Sequence, residues 1–326
     1  MKFRSSKQVL ILGSAADPHV EAVNSQLIDH GGHPHIFSYR EMLQGDNALS
    51  AHYQNGKFQA GLSINGKTIE LYELDSVWLR RPGHPVAARL AETWLEWFSS
   101  YETKRALDGL FNGLNCKFVN SLARQEECLH KTYQLRMAQN SGLQLPRTLL
   151  TNDASKVEQF YKDCDRQVIY KLIDERSWQY FPKHRGRRGI PTLPLRDQDL
   201  PYLEQVGLSL HLFQERIDKV CDLRATIVGQ QIFVAKITGK NEDACLDWRF
   251  EPKKVSSFEL PVQIKEKCFE LMAQLGLSFA ALDLCLDKDG NYFFLEANPA
   301  GQFLWLEDEL KMPISQAIAK VLLAPI

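Results

Sequence analysis

Residues 281–302, ALDLCLDKDGNYFFLEANPAGQ, read as two apolar strands joined by a turn at Lys288-Asp289-Gly290. Side chains alternate faces along a strand, so Glu296 and Asn298, two positions apart, share a face. Asp283 lies on the opposing strand between Leu282 and Leu284. Two carboxylates and an amide oxygen can therefore converge at one end of a sheet. Hard oxygen donors of this kind suit Mg²⁺, which takes one or two carboxylates and completes its shell with substrate phosphates. An isolated Glu-x-Asn also fits a solvated hairpin in which Asn298-Pro299 starts a turn. Acidic groups beside Leu282, Leu284, Phe294 and Leu295, however, need a charge partner to be tolerated.

Cations are spread through the apolar segments upstream. Lys171 ends the strand QVIYK, where its ammonium can reach phosphate oxygens as a point charge. Lys131 stands mid-helix in LHKTYQL, and Arg224 lies in CDLRATI on the face of Asp222 and Thr226. Lys236 follows four apolar or neutral residues in IFVAKI, and Arg249 follows Trp248 in LDWRF. Each alone reads as a surface charge or a structural ion pair. Together, in mostly apolar strands, they point to a shared anionic ligand. The chain has no G-x-x-x-x-G-K-[ST] phosphate loop, no G-x-S-x-G and no H-E-x-x-H. Gly186 and Gly189, in the run KHRGRRG, can let backbone amides close over phosphates, or simply make a flexible linker.

Working outward, the pattern is α/β. QVLILGS (residues 8–14) reads as a buried first strand, Asp17 to His30 as a helix closed by Gly31 and Gly32, and HPHIFSYR as a second strand. A hairpin is expected around Asn65-Gly66, a strand at DSVWLRR (75–81), a long helix from Ala87 to Leu114 and a short strand in CKFVNS. These make a first domain, 1–120. A helix from Leu122 to Gln139, the strand RTLLT, a helix near Ala154 to Cys164 and QVIYKLI belong to a second, 121–215. Its polar segment 174–190 reads as a mobile loop. A third, 216–326, holds VCDLRATIVG and QQIFVAKI around the turn Gly229-Gln230, a helix from Val262 to Gln274, the opening hairpin and a last helix from Pro313 to Leu323.

The 326 residues suffice for two or three domains with full cores. Net charge is −1, so no global field draws the protein to nucleic acid or to a membrane surface. No stretch approaches the ~20 apolar residues of a membrane span. The seven cysteines are odd in number and lack a CxxC pair, which argues against a disulfide framework or zinc and for a reducing compartment. A soluble, cytoplasmic protein is expected.

The order of helix lysine, strand lysine, flexible loop, Q-E-hydrophobic hinge, D-x-R strand and D…E-x-N resembles an ATP-grasp ligase. Within that superfamily SVWLRRP (76–82), FQERI (213–217), DWR (247–249) and LEANPAGQFLWLE (295–307) are similar to the microviridin-type ligases, the graspetide maturases of ribosomal peptides. The resemblance implies an α/β (α+β) ATP-grasp fold with an N-terminal pre-ATP-grasp domain. It implies that Lys131 and Lys171 contact the phosphates of ATP, that Gln214, Glu215 and Ile217 line the adenine and ribose pocket, and that Asp283, Glu296 and Asn298 hold Mg²⁺. Arg224 and Arg249, with Lys236, would neutralise the transferred phosphoryl group and the acyl phosphate. Arg80 and Arg81 belong to the N-terminal signature, without a role that the sequence supplies. Ala297 departs from the usual Ile or Val, and KHRGRRG is unusually basic.

The implied reaction activates Asp or Glu side chains of a precursor peptide, leader plus acidic core, and condenses them with Ser or Thr hydroxyls (ester) or Lys amines (amide) to close macrocycles. The basic loop suits such a peptide or is a solvated charge run, and a homodimer is an assembly the resemblance allows. Two other functions stay open. One is an amino-acid ligase that adds free amino acids to a protein or metabolite carboxylate. The other is a non-catalytic nucleotide- or peptide-binding module, against which the three oxygen donors argue.

Overall fold

A computed structural model describes residues 6–43, 47–86, 92–174, 192–239 and 253–325. The strands are β1 (Gln8–Leu12), β2 (His33–Phe37), β3 (Ala48–Gln54), β4 (Lys57–Ile64), β5 (Lys67–Glu70), β6 (Ser76–Leu79), β7 (Lys117–Val119), β8 (Thr148–Thr151), β9 (Val168–Lys171), β10 (Leu193–Pro194), β11 (His211–Glu215), β12 (Lys219–Val228), β13 (Gln231–Gly239), β14 (Lys253–Ser257), β15 (Phe279–Asp287) and β16 (Tyr292–Asn298). The α-helices are α1 (Pro18–Asp29), α2 (Thr93–Asn112), α3 (Leu122–Cys128), α4 (Lys131–Asn140), α5 (Ala154–Asp163), α6 (Val262–Leu275), α7 (Leu304–Leu310) and α8 (Ile314–Leu323).

Four sheets organise the chain. β1, a run of apolar residues buried on both faces, sits at the centre of a parallel sheet in the order β2-β1-β6-β7. A three-stranded antiparallel sheet, β3-β4-β5, adjoins it. The third sheet, β10-β9-β11-β8, is antiparallel and packs its Val168 and Phe213 face on α5. The fourth, β14-β13-β12-β15-β16, is antiparallel and buries Leu223, Leu282, Leu284 and Phe294 against α4 and α6. A separate apolar cluster joins Val9, Val20 and Trp78 of the N-terminal sheet region to Phe279, Phe303, Ile314 and Ile318, so the N-terminal sheet and the chain's last helices share one core.

Three features depart from the sequence-based reading. The expected helix 122–139 is two helices. Cys128 gives its carbonyl to the Gln134 side chain, and the chain turns through Leu129 and His130, so Lys131 opens α4 instead of standing mid-helix. A second hairpin, β3-β4, turns at Asn55-Gly56 with positive φ at both positions. A short helix, α7, follows the motif strand β16 after the turn at 299–303. No helix among the described residues is long and apolar enough to cross a membrane.

Candidate functional site

Strand register places the acidic residues. Arg224 on β12 lies opposite Asp283 on β15, which lies opposite Glu296 on β16, and Ala281 lies opposite Asn298. A bulge produces this last step. From the turn, Leu286 pairs with Tyr292 and Leu284 with Phe294, and continuing that register would set Leu295 against Asp283. The register instead slips by one between Asp283 and Leu284. Because the side-chain period is two, the slip moves Glu296 and Asn298 from the face of Leu282 to that of Asp283. Ala297 correspondingly turns into the apolar core.

Each carboxylate has a cation. The Arg224 Nη1 donates to both oxygens of Asp283 at 2.7 Å, with side chains only 8% and 13% exposed. Lys131 Nζ stands 3.5 Å from Glu296 Oε2, its position set by the start of α4. Lys219, which nothing in the sequence singles out, pairs at 2.7 Å with Asp222, the acidic residue of the D-x-R strand on the same sheet face as Arg224. Lys171 comes from β9 and enters the same field. Burial pushes its ammonium down, Glu296 pulls it partly back, and Lys131 and Lys219 press it further, to about 8. A desolvated ammonium crowded by two others favours an incoming polyanion.

At the hinge, Gln214 shares the face of Lys171, because Lys171 pairs with Leu212 two residues away. Gln214 is 1% exposed, donates from Nε2 to Thr148 Oγ1 at 3.0 Å, and leaves Oε1 without a partner among the described residues. Glu215 points to the opposite face, where Arg147 holds it from Nε and Nη2 at 3.0 and 2.9 Å. Its side chain is thus a structural partner of Arg147 and does not line the Lys171 face. Ile217 is half-buried between β11 and β12, and its carbonyl accepts from Lys219 N at 2.9 Å.

Two expected residues are not brought into the cluster. Lys236 lies opposite Leu223 and so on the other face of the sheet from Arg224, Asp283 and Glu296, which removes it from a shared anion site. Arg249 and the segment 175–191, with its KHRGRRG run, lie outside the described residues.

Polar side chains from elsewhere fix the donor strand. β16 is a sheet edge, so the outward groups of Ala297 would be unsatisfied. Gln134 closes both, accepting from Ala297 N at 2.8 Å and donating to Ala297 O at 2.8 Å. This clasp sits between the two donor positions. Asn298 Oδ1 accepts from Ala300 N at 3.0 Å, and Asn120 donates to Pro299 O at 3.1 Å. Arg80 donates to the carbonyls of Ala300 and Gly301, and Arg81 to Ala300 at 2.8 Å. Burial lowers the Arg81 guanidinium, Asp17 opposes this, and the charge of Arg224 adds to it. Apart from the pair Arg80-Arg81, no local pattern marks these supports.

The residues fit a magnesium nucleotide. Among the described residues no group of three or more His, Cys, Asp and Glu gathers; a set of two carboxylates and one amide, as expected from the sequence, would leave room for phosphates in a Mg²⁺ shell. The cations beside those carboxylates, Arg224 and Lys131, suit the phosphates, and the orphaned Gln214 Oε1 suits a base N–H.

A family model described as the MvdD pre-ATP grasp domain matches residues 8–126. The macrocyclase MdnC of Microcystis aeruginosa MRC, solved with its precursor peptide MdnA, superposes with a TM-score of 0.84 at 28% identity over 97% of this chain and 99% of that one. A RiPP-associated ATP-grasp ligase of Chryseobacterium gregarium, solved with ADP and a leader and core peptide, superposes at 0.88 over 97% and 96%; at 24% identity that likeness is one of fold. Human beta-citrylglutamate synthase B is 22% identical over 274 residues, 79% of this chain but 63% of its own length.

Proposed function

Since the chain is an ATP-grasp ligase near the ribosomal-peptide macrocyclases, we propose that it activates side-chain carboxylates of a precursor peptide with MgATP and closes them into rings. The observation that carries this reading is the charge array on one sheet face: Lys131 to Glu296 at 3.5 Å and Arg224 to Asp283 at 2.7 Å.

Mg²⁺ bound at Asp283, Glu296 and Asn298 would neutralise phosphate charge and hold the nucleotide in line. Lys131 and Lys171 orient the phosphate chain, and Gln214 receives the base. A peptide carboxylate oxygen attacks the terminal phosphorus, the bond to ADP breaks, and an acyl phosphate forms. Arg224 stabilises the charge that builds on the transferred group. A hydroxyl or amine of the same peptide then attacks the acyl carbon, phosphate leaves, and the nucleophile's proton is released. An ester or amide closes the ring with net loss of water. In this reading residues 1–120 form the pre-ATP-grasp domain, while 121–215 and 216–326 face each other across the nucleotide.

The test is incubation with ATP, Mg²⁺ and candidate peptides carrying Asp or Glu with Ser, Thr or Lys, followed by mass spectrometry. Loss of one water per ring, with matching ADP release that Glu296→Ala and Asn298→Ala abolish without unfolding, supports the proposal. The amino-acid ligase reading is kept because the human relative is a synthase of beta-citrylglutamate. It predicts a mass gain of one amino-acid residue instead.

A further inference from the structure

The polar groups at the carboxyl ends of the N-terminal parallel strands grip the turn that follows β16. In open α/β sheets that edge is where ligands bind. Here the chain's own residues 299–304 fill it. Asp17, the cap of α1 just beyond β1, receives the Arg80 Nε at 3.1 Å and the His19 Nδ1 at 2.8 Å. Arg80, directly after β6 and 1% exposed, passes its Nη1 to the carbonyls of Ala300 and Gly301. His19, 7% exposed, takes the amides of Phe303 and Leu304 on Nε2 at 3.2 and 3.4 Å. Those amides donate, so Nε2 accepts, and a neutral ring with its proton on Nδ1 donates to Asp17. Burial and then Arg80 hold His19 down at about 4, which keeps the ring in that neutral form. Gly13 lets the pieces meet: a Cβ there would lie 2.9 Å from Val20 Cγ2 and 3.3 Å from Arg80 Cβ.

We propose that Asp17, His19 and Arg80 are positioning residues for the metal-nucleotide site, setting the turn that carries Asn298 so that its amide oxygen meets the metal. This rests on the reading of Asp283, Glu296 and Asn298 as donors. The N-terminal parallel sheet then acts as the outer support of the metal site. Outer supports of metal ligands commonly carry ~10–100-fold in metal affinity. Within the turn, Ala300 N and Gly301 N bond back to Asn298 at 3.0 and 3.2 Å, while the carbonyls of Pro299, Ala300 and Gly301 are held by side chains from distant parts of the chain.

The experiment measures ADP binding by calorimetry with and without Mg²⁺, for the full chain and for Arg80→Lys, Asp17→Asn and His19→Asn. Thermal melting confirms that each variant folds. The parent chain binds ADP more tightly with Mg²⁺. In the variants that gain shrinks by ~10-fold or more, while ADP affinity without metal stays as in the parent. Arg80→Lys, which keeps the charge and a single donor nitrogen in place of the planar fork, falls between Asp17→Asn and the parent. Should Arg80→Lys fail to fold, the other two variants carry the same comparison. An undiminished Mg²⁺ gain in folded variants overturns the proposal. So does an equal loss with and without metal, which would mark a purely structural role. A parent chain with no Mg²⁺ gain would instead sink the donor assignment itself, and Glu296→Gln, which leaves the grip intact, is the control that separates the two.

Discussion

Gly301→Ala is expected to damage the metal site from outside it. The added Cβ would lie 2.5 Å from the Cβ of Ala281, the residue paired with Asn298. Carbon atoms rest about 3.5–4.0 Å apart, so the turn must withdraw by roughly 1 Å. It is tied through Arg80, Arg81 and Asn120, so it cannot withdraw freely. Overpacking of this kind costs about 1–3 kcal/mol. A ~1 Å displacement of a site can cost ~100-fold in turnover. The assay is a double-mutant cycle with Ala281→Gly, which removes the opposing methyl, read by urea unfolding and by Mg²⁺-dependent ADP binding. Gly301→Ala should lose both stability and metal-dependent affinity, and most of each loss should return in the double variant. If the damage of Gly301→Ala is the same in both backgrounds, the clash is not its cause and the packing account of the turn is wrong.

Further outcomes follow from the charge array and the grip. Arg224→Met leaves the Asp283 carboxylate buried without its guanidinium, and breaking such a pair costs about 3–5 kcal/mol. Adding Mg²⁺ and ADP should narrow that deficit in urea titrations, and an equal deficit with and without them would count against a cation-exchanging site. His19 has a folded value of about 4 against 6.5 unfolded, so as pH falls the unfolded chain takes the proton first. Its stabilisation is present above pH 6.5 and is lost toward pH 4, by an amount on the order of 3 kcal/mol. His19→Gln should flatten that acid limb, and an unchanged limb would refute the neutral-ring assignment. Lys171, held at about 8, is charged below that pH and neutral above it, so nucleotide affinity should decline as pH rises past 8. Lys171→Met should bind more weakly and without that decline, and a decline that persists would assign it to another group.

Much of the framework was legible because it is local. The turn at Lys288-Asp289-Gly290 and the apolar runs beside it announce β15 and β16, and β1 reads from four consecutive aliphatics. The position of Lys236 was also open to arithmetic. A two-residue turn at Gly229-Gln230 pairs Val228 with Gln231, and counting back sets Lys236 against Leu223, on the wrong face for the site. Parity along a strand had to be counted across the turn, and apolar context alone misplaced it. The meeting of Glu296 with Asp283 was expected, but its cause was not legible: the turn's own register would have separated them, and the bulge beside Leu295 reunites them. Edge-strand bulges leave little trace in a single sequence. The Glu215 side chain was drawn to Arg147, 68 positions away, and the supports at Asp17, His19, Arg80, Asn120 and Gln134 join segments far apart in the chain. Such contacts are decided by tertiary packing, and periodicity carries no signal for them.

The central claim is that Asp283, Glu296 and Asn298 gather a divalent metal and a nucleotide on one sheet face. Crystals grown with ADP and Mn²⁺, whose anomalous scattering locates the ion without reference to any model, test it in one step. The account predicts a single strong anomalous peak in bonding contact with oxygens of all three side chains, near the ~2.1 Å of a Mg²⁺–oxygen bond, with phosphate oxygens completing the shell beside Lys131 and Lys171. A peak elsewhere, or nucleotide bound with those three side chains left facing water, would contradict it.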